Sequence, residues 1–497
     1  MRLLAAVSAT SVLLVLLAGC ASDPDPVASV DDATSTAAPF HVLTGTVEPL
    51  AFDAPTFQTL GAVATGGPAY STGEPSIRAA LDGRLFVAFP GCDTPGSILV
   101  PVSAQGVEEC QHGVVYRSDD DGTTWTRLNR QGDGRLSEDG PAANGDAEVA
   151  IDAAGVVYAS NLGGGIQVHK SLDGGATWEF VANVVPENET ADRQWMVAGA
   201  SGHLIEAWMR TGPDARDVAI NATFDGGLTW TGNSYLGDNI GWLGPVVLSP
   251  DGRFAYIVYT QPLPGGTDAV LLSQQECAVR VGRSADGGRT WEDLDTGARI
   301  VTNLQGGHWS CVNMAPALDV TGDGSVVAAW SEDVESPADL TAMGAIVKAV
   351  VSHDLGATWE PAFQLSTEET SIMPWVAGGA GNRFAVTYYA NAVPADADYA
   401  AAVWDLKAVY VDGSGPDAPT QRVTIDDDVH EGGICGRGGA CLLTGSDRFL
   451  LDFFQNDVLP DGRLVIAYPA NPASGARFVE IRFAIQDGGT FLLERAD

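Results

Sequence analysis

The chain has 497 residues, with 64 acidic against 26 basic side chains and a formal net charge of −38. Such an acidic surface repels nucleic acid and anionic membranes, which excludes functions that need a basic face. The sequence has no phosphate-binding loop, Gly-x-Ser-x-Gly elbow or His-Glu-x-x-His helix, so the enzyme classes built on those motifs are not expected.

The chain begins with a short apolar segment, MRLLAAVSATSVLLVLLAGC, whose basic residue is Arg2. The segment is too short for an ordinary membrane span and predicts a secretory signal peptide over residues 1–19. Its end, Leu-Ala-Gly-Cys at Cys20, resembles the lipobox of bacterial-type lipoproteins, in which the cysteine becomes lipidated. The resemblance implies an exported protein that is lipid-anchored to the outer face of a membrane, at the cell surface or in the periplasm. The alternative is a plain signal peptide with a chance cysteine.

Residues 20–55 contain Cys20 followed by a stretch rich in Asp, Pro, Ser, Thr and Ala. This composition is typical of a disordered tether. Residues 56–497 are then long enough for one large domain.

Six cysteines remain once Cys20 is set aside, and an even number in an exported chain indicates disulfides. A zinc site is the alternative, although no C-x2-C pair is present. Proximity along the chain favours three local bridges, which are Cys92–Cys110, Cys277–Cys311 and Cys435–Cys441.

Two short repeats alternate along the domain. The first is a pair of apolar runs with period-two alternation joined by a Gly-containing turn, which predicts a β-hairpin. Seven copies occur, at residues 76–89, 148–160, 195–208, 245–259, 316–330, 374–389 and 453–468.

The second repeat is the octapeptide S/T-x-D-x-G-x-T-W, which follows five of the seven hairpins. Its glycines supply the positive φ values of a tight turn, and its Asp can accept hydrogen bonds from turn N–H groups. A residue set repeated once per unit indicates a structural turn rather than a catalytic site. The five octapeptides span residues 118–125, 171–178, 223–230, 284–291 and 352–359, and their acids are Asp120, Asp173, Asp225, Asp286 and Asp354.

Each unit therefore has two hairpins, or four antiparallel strands. Seven such units predict an all-β chain folded as a seven-bladed β-propeller, with very little helix. The alternative is six blades with a small additional sandwich.

The octapeptide resembles the Asp box, or BNR repeat, of the sialidase-like β-propeller superfamily. The resemblance covers nearly all of residues 70–497 and implies that the octapeptides lie on the face opposite the ligand site. Segments that precede each first strand then belong to the site face. These segments contain Glu74, Asp146, Glu148, Asp192, Arg193, Trp195, Trp242, His308, Trp309, Asn313, Trp375, Asp447, Arg448 and Asp452.

Acids, arginines and tryptophans at one rim suit a carbohydrate pocket, because carboxyl pairs cleave glycosides and Arg binds carboxylates in a bidentate manner. The candidate catalytic acids are Asp146, Glu148, Asp192 and Asp452. The alternative is structural, with the tryptophans packed in the central funnel and Arg193 paired with Asp192 or Asp452. The candidate ligand-binding residues are Arg193, Trp195, His308, Trp309, Trp375 and Arg448.

True sialidases use three arginines around a carboxylate, a Tyr–Glu nucleophile pair, an Asp acid/base and a Tyr/Phe-Arg-Ile-Pro motif. Here residues 74–78 read Glu-Pro-Ser-Ile-Arg, so the family's first arginine cannot be transferred. Tyr388 and Tyr389 are candidates for the nucleophile or are ordinary strand aromatics. The arginines that could complete such a set are Arg193, Arg210, Arg216, Arg437 and Arg448.

Two functions from different classes remain open. The first is a monomeric, non-catalytic surface propeller that binds a glycan or a protein or scaffolds a complex, with no cofactor and no nucleic acid. The second is an exo-acting glycoside hydrolase of the sialidase-like type. A third, less defined alternative is another enzyme, in which Asp146 and Glu148 hold Ca²⁺, although no EF-hand spacing supports that site.

Overall fold

The computed structural model describes most of the domain and omits the N-terminal segment, so the predicted signal peptide, Cys20 and nearly all of the tether lie outside the described residues. The described residues belong to one compact unit, Val47–Asp497. They contain strands and turns but no helix, and therefore no helix that could cross a membrane. The described ranges are 53–62, 70–71, 73–92, 112–128, 146–163, 165–212, 216–263, 274–303, 311, 314–335, 343–368, 370–392, 402–434, 450–471 and 479–493.

Four sheets have four antiparallel strands each. From the innermost strand outward they are β7 (Ala147–Ile151), β8 (Val157–Leu162), β9 (Ile166–Ser171) and β10 (Glu179–Asn183); β11 (Ala191–Ala198), β12 (Leu204–Arg210), β13 (Val218–Thr223) and β14 (Ser234–Leu236); β15 (Leu243–Leu248), β16 (Ala255–Pro262), β17 (Gln274–Ser284) and β18 (Glu292–Asn303); and β27 (Gln455–Val458), β28 (Leu464–Ala470), β29 (Glu480–Gly488) and β1 (Thr56–Ala62).

A fifth sheet has the same meander and one additional short strand. It contains β3 (Ser76–Ala79), β4 (Leu85–Cys92), β5 (His112–Ser118) and β6 (Thr126–Arg127), with β2 (Tyr70–Ser71) also paired to β4.

The remaining sheet has eight strands, in which two meanders are joined by one parallel bridge between Ala345 and Thr370. Its strands are β19 (Ala317–Val320), β20 (Val326–Glu335), β21 (Met343–Ser352), β22 (Phe363–Gln364), β23 (Thr370–Gly378), β24 (Arg383–Asn391), β25 (Val403–Asp412) and β26 (Thr420–Glu431).

The innermost strands contact one another in cyclic order, from β3 through β7, β11, β15, β19, β23 and β27 back to β3. The predicted all-β propeller is thus confirmed, with five of its blades separated as individual sheets. The N-terminal strand β1 pairs with β29, for example Phe57 with Gln486, and so completes the sheet formed by the end of the chain. Because β1 comes from the start of the described chain and β27–β29 from its end, this pairing joins the two ends of the ring within one sheet.

Each blade is packed between two neighbours, so its central strands are apolar on both faces. Strand β12 illustrates the alternation. Ile205 and Ala207 pack toward β15 and β16, whereas Leu204 and Trp208 pack toward β7, β8 and β9. The core is therefore a set of layers between the blades rather than a single central cluster.

The octapeptides form the turns between the third and fourth strands, as predicted. Ser171 Oγ donates to Asp173 Oδ1 at 2.8 Å and accepts from the Gly175 N–H at 2.7 Å. The Thr177 backbone N–H and hydroxyl donate to the two Asp173 carboxylate oxygens at 2.8 and 2.7 Å. These bonds, first that from the Thr177 N–H, lower the pKa of Asp173 to about 2. The same side-chain bonds recur around Asp120, Asp225, Asp286 and Asp354.

The octapeptides share one face of the propeller with the turns that join first and second strands. The Gly226 N–H of one octapeptide donates to Gly202 O in such a turn at 2.9 Å, and Gly287 N–H donates to Arg253 O at 3.0 Å. We call this side the octapeptide face. Since each innermost strand runs toward it, the innermost strands begin at the opposite face.

One predicted disulfide is confirmed. Cys277 in β17 is bonded to Cys311, which lies before β19, with the two Cα atoms 6.0 Å apart. Cys110, Cys435 and Cys441 lie outside the described residues, so the other two predicted bridges stay predictions.

Candidate functional site

Four charged side chains from four sheets meet at the opposite face. Arg193 lies near the start of β11, and Glu74, Asp146 and Asp452 lie just before β3, β7 and β27. Arg193 Nη1 is 2.9 Å from Glu74 Oε1 and 3.8 Å from Asp146 Oδ2, and Nη2 pairs with Asp452 Oδ2. All four residues are buried, and Arg193 is only 4% exposed. We call this group the Arg193 cluster.

The cluster has three acids and one cation, so its carboxyl groups outnumber the guanidinium that can neutralise them. Burial, and next the charge of Asp146, raise the pKa of Glu74 well above its ordinary value, and Arg193 opposes them. Burial also raises the pKa of Asp146, again against the attraction of Arg193. The two carboxyl groups also act on each other, since Asp146 raises the pKa of Glu74 and Glu74 lowers that of Asp146. The arrangement is a pair of buried carboxyl groups beside one guanidinium, in which the protonated form of Glu74 is favoured.

Backbone geometry aims these side chains into the ring. Arg193 has φ +58° and Glu74 has φ +53°, in the left-handed region that non-glycine residues rarely adopt. Met373 and Leu451, before or near the start of other innermost strands, have φ +55° and +54°. In β11 the register shifts between Asp192 and Trp195, which marks a bulge at Arg193. Bulges of this kind redirect a side chain, here toward the central channel that the innermost strands enclose.

The aromatic residues predicted for the site pack against one another below the cluster. The Trp195 ring lies 4.7 Å from Phe453 and 5.3 Å from Trp375, and both tryptophans are buried. Trp195 Nε1 donates to Leu243 O at 3.3 Å. Both rings thus take part in the packing of the ring interior, and Trp375 also lines a cavity.

Trp242, by contrast, remains partly exposed while its ring lies 4.9 Å from the Arg193 guanidinium carbon. Asp192 is also partly exposed. These two residues give the mouth of the channel an aromatic face and a carboxylate that a ligand can reach.

A second polar layer lies deeper in the channel. Glu148 in β7 accepts from Ser76 Oγ at 3.0 Å, is 3.4 Å from Arg78 Nη2 and accepts from Gln455 Nε2. Glu148 is 1% exposed, and burial raises its pKa to about 7 although Arg78, Gln455 and Ser76 oppose the rise. Glu206 in β12 is also fully buried, accepts from Ser160 Oγ at 3.1 Å and has a pKa raised by burial.

The structure thus separates the predicted acids. Asp146 and Asp452 join at Arg193, Glu148 contacts Arg78 one layer deeper, and Asp192 stays at the rim. The pair considered for Ca²⁺ is divided between two guanidinium groups. No group of three His, Cys, Asp or Glu suited to a metal occurs within the described part of the chain. His308, Trp309 and Arg448 lie outside the described residues, as do Asn313, Asp447 and Arg437.

The sialidase-type candidates that the structure describes do not assemble around Arg193. Arg210 pairs with Asp217 within its own blade, and Arg216 donates to a backbone oxygen, Gly241 O, at 2.8 Å. Tyr388 and Tyr389 are fully buried, and burial raises both pKa values, which disfavours a phenolate nucleophile. Both tyrosines are ordinary strand aromatics.

Several polar residues of the channel were not predicted from the sequence. Ser76, Gln455 and Glu206 lie inside strands and resemble the alternating polar positions of any hairpin. Phe453 directly follows Asp452, and Gln455 lies three residues after that acid. The run FFQNDV was therefore a weak signal, because it places three consecutive polar residues, Gln455 to Asp457, in an innermost strand.

No protein-family model matches the chain, and no curated protein matches it. Among solved structures it is similar to a protein of unknown function from Dyadobacter fermentans, with 13% identity over 87% of this chain and 99% of that chain and a TM-score of 0.47. It is also similar to an α-L-arabinanase from Penicillium chrysogenum complexed with arabinobiose (14% identity, 75% of this chain and 98% of that chain, TM-score 0.41). A NanB sialidase from Streptococcus pneumoniae shows 12% identity over 87% of this chain and 70% of that chain, with a TM-score of 0.43.

Proposed function

We propose that this protein is a lipid-anchored, extracytoplasmic β-propeller that binds a glycan or protein ligand at the opposite face without cleaving it. The observation that carries the proposal is the state of Arg193. Its guanidinium is buried and shared by Glu74, Asp146 and Asp452. A group already paired in this way cannot clamp the carboxylate of an acidic sugar, and it joins four blades instead.

We infer that the ring has seven blades. The eight-stranded sheet contains two four-stranded meanders, β19–β22 and β23–β26, joined only at Ala345 and Thr370. The seven innermost strands contact one another in a closed cycle. Counted in this way, each of the seven hairpin repeats starts one blade.

The start of the described chain lies at the octapeptide face. Asp53 N–H donates to Thr490 Oγ1 at 2.9 Å, and Thr490 N–H donates to Asp53 O at 3.1 Å. Thr490 follows β29, whose end lies at that face. A lipid anchor at Cys20 would therefore be linked to the propeller through a residue at the octapeptide face, which is not the face proposed to bind the ligand.

The ligand would contact the exposed part of the mouth, where Trp242 and Asp192 lie. Testing this requires a glycan array and a protein-capture assay with the chain from residue 21 onward. We expect binding that falls about tenfold in Trp242→Ala, because loss of an aromatic stacking face costs roughly 1–3 kcal/mol in comparable contacts. Leu172→Ala is the matched control, since Leu172 is 74% exposed on the octapeptide face. Equal loss in both variants would contradict the assignment of the mouth.

A glycoside hydrolase is the second candidate, and one observation favours it. Burial and the neighbouring Asp146 raise the pKa of Glu74 well above its usual value, which favours its protonated form, and a proton-donating acid near a carboxylate is what glycoside cleavage requires. Both carboxyl groups lie beside the same guanidinium nitrogen, since Arg193 Nη1 is 2.9 Å from Glu74 Oε1 and 3.8 Å from Asp146 Oδ2. Release of the fluorophore from a fluorogenic sialoside or arabinofuranoside, abolished in Glu74→Gln, would overturn the binding-only proposal.

For the anchor, Cys20→Ser is expected to move the protein from the membrane fraction to the soluble fraction. Retention of the variant in membranes would refute lipid anchoring at Cys20.

A further inference from the structure

The channel opens on the octapeptide face as a cavity of about 640 Å³. This volume falls within the roughly 300–1,000 Å³ that small-molecule sites occupy. All residues that line it are described, and they come from the innermost strands and first turns around the ring. The cavity is distinct from the mouth at the opposite face, and nothing in the proposed function uses it.

One wall of the cavity is charged. Arg78, Asp319 and Asp457 each stand at the penultimate position of an innermost strand, in β3, β19 and β27. At the same position β11 and β15 present Val197 and Val247, which also line the cavity. In the cyclic order β11 and β15 are the strands farthest from β27. An apolar wall therefore lies across the cavity from Asp457.

The two carboxylates keep acceptor capacity. Asp457 accepts from the N–H groups of Ala79 and Val458 at 2.8 and 2.7 Å, and Asp319 accepts in the same way from Gly378 and Val320 at 2.7 and 2.8 Å. The bonds from Ala79 and Gly378 join β27 to β3 and β19 to β23, and the other two come from the next residue of the same strand. A carboxylate has about four acceptor positions, so each acid retains positions that face the cavity. Burial raises the pKa of both groups, while their backbone hydrogen bonds and the charge of Arg78 oppose the rise.

A third acceptor points to the same ligand chemistry. Asn456 is 4% exposed and lines the cavity. Its Nδ2 donates to Trp375 O at 3.0 Å and to Thr387 Oγ1 at 2.8 Å, which fixes the orientation of the amide. Its Oδ1 has no hydrogen-bond partner among the described residues. An unsatisfied buried acceptor costs roughly 1–3 kcal/mol unless a ligand or water supplies a donor.

Arg78 does not change the preference of the cavity for a ligand that donates hydrogen bonds. Its Nη1 donates to Ile77 O and Gln455 Oε1, both at 2.6 Å, and its Nη2 lies 3.4 Å from Glu148. The guanidinium thus makes its hydrogen bonds to groups of the channel, while its charge also acts on Asp457 and Asp319 and opposes the rise in their pKa values. At the rim, Asp152 and Asp251 add further acids, and the His203 ring bonds to Gly287 O and has a pKa lowered by burial.

We propose that this cavity is a binding site for a small organic cation, a protonated amine whose ammonium group contacts Asp319, Asp457 and Asn456 and whose apolar body packs on Val197 and Val247. The acceptors require a ligand that brings hydrogen-bond donors. An anionic ligand is excluded by the negative charge of Asp319 and Asp457, of the acids at the rim and of the whole chain.

The test compares three probes of one ring size with different charges: benzylamine, benzyl alcohol and benzoate. Binding to the full chain is measured by isothermal titration calorimetry and saturation-transfer NMR at pH 7.5. We expect benzylamine to bind at least about tenfold more tightly than benzyl alcohol, because a charge-assisted hydrogen bond replaces a neutral one. No binding of benzoate is expected. Equal affinity for all three probes, tighter binding of benzoate, or no binding of benzylamine overturns the proposal.

Two variants locate the site. Asp457→Asn removes one negative charge from the charged wall and is expected to weaken benzylamine binding about tenfold. Val247→Phe narrows the cavity from the apolar wall without touching the hydrogen bonds of the acids, so it tests the site even if Asp457→Asn fails to fold. Asp82→Asn is the matched control, since Asp82 is an exposed acid on the same face that does not line the cavity. Unchanged affinity in both cavity variants, or equal loss in the control, refutes the assignment.

Discussion

The buried carboxyl of Glu148 makes the stability of the propeller depend on pH in a direction that can be worked out. Its pKa rises from 4.5 to about 7 in the folded chain, chiefly because of burial. The folded state therefore holds the proton more tightly than the unfolded state. Its contribution is fully present below pH 4.5 and is lost as the pH rises through about 7. At roughly 1.4 kcal/mol per pKa unit, the loss amounts to about 3 kcal/mol.

The substitution Glu148→Gln keeps the size and polarity of the side chain but removes its titration. We expect the free energy of unfolding of the variant to fall less between pH 4.5 and 8, by about 3 kcal/mol relative to the parent. The measurement is urea unfolding followed by tryptophan fluorescence at intervals across that range. Asp119→Asn, at an exposed carboxylate paired with Arg117, is the control and should not change the pH profile.

Parallel pH profiles for Glu148→Gln and the parent would refute the reasoning. That result would mean either that water reaches Glu148 in the channel or that Arg78 and Gln455 hold it ionised. The comparison between variant and parent is needed because burial raises the pKa of other acids, such as Glu206, in the same direction.

Three further variants probe the ring. Arg193→Met leaves three buried acids without their cation and should destabilise the fold by roughly 3–5 kcal/mol at pH 7, with a smaller loss at pH 5 in thermal unfolding; a loss that does not depend on pH would contradict the ion-pair account. Gly175→Ala forces a φ of +93° on alanine and puts its Cβ 2.3 Å from a leucine side chain, so it should lower the melting temperature more than Gly155→Ala, whose site is open; equal effects would disprove the steric argument. Removing the Cys277–Cys311 bridge, which closes 34 residues, by a double alanine substitution should cost about 4 kcal/mol in urea unfolding, and no loss would show that the bridge does not limit the unfolded state.

Local patterns in the sequence were enough to predict the strands and turns of the repeating unit. The hairpin repeat predicted the first two strands of each unit, and the octapeptide around Asp173 predicted the turn between the third and fourth. These features are local because a turn needs its glycines and its Asp within a few residues. Their regular alternation was enough to predict an all-β propeller, and the assignment of residues before the first strands to one face agrees with the Arg193 cluster.

The tertiary structure alone decided which of those residues meet and what they do together. Glu74 and Asp452 flank Arg193 from sequence separations of 119 and 259 residues, and Glu148 meets Gln455 across 307 residues. Such pairs form only when the ring closes, with β1 paired to β29, and no local pattern encodes that closure. Trp195 and Arg193 are residue types suited to a ligand site, yet the closed ring buries both and pairs Arg193 with three acids. The sequence determined the repeating unit because its turns are local, whereas the closed ring decided the chemistry of the channel because only there do distant blades share burial and charge.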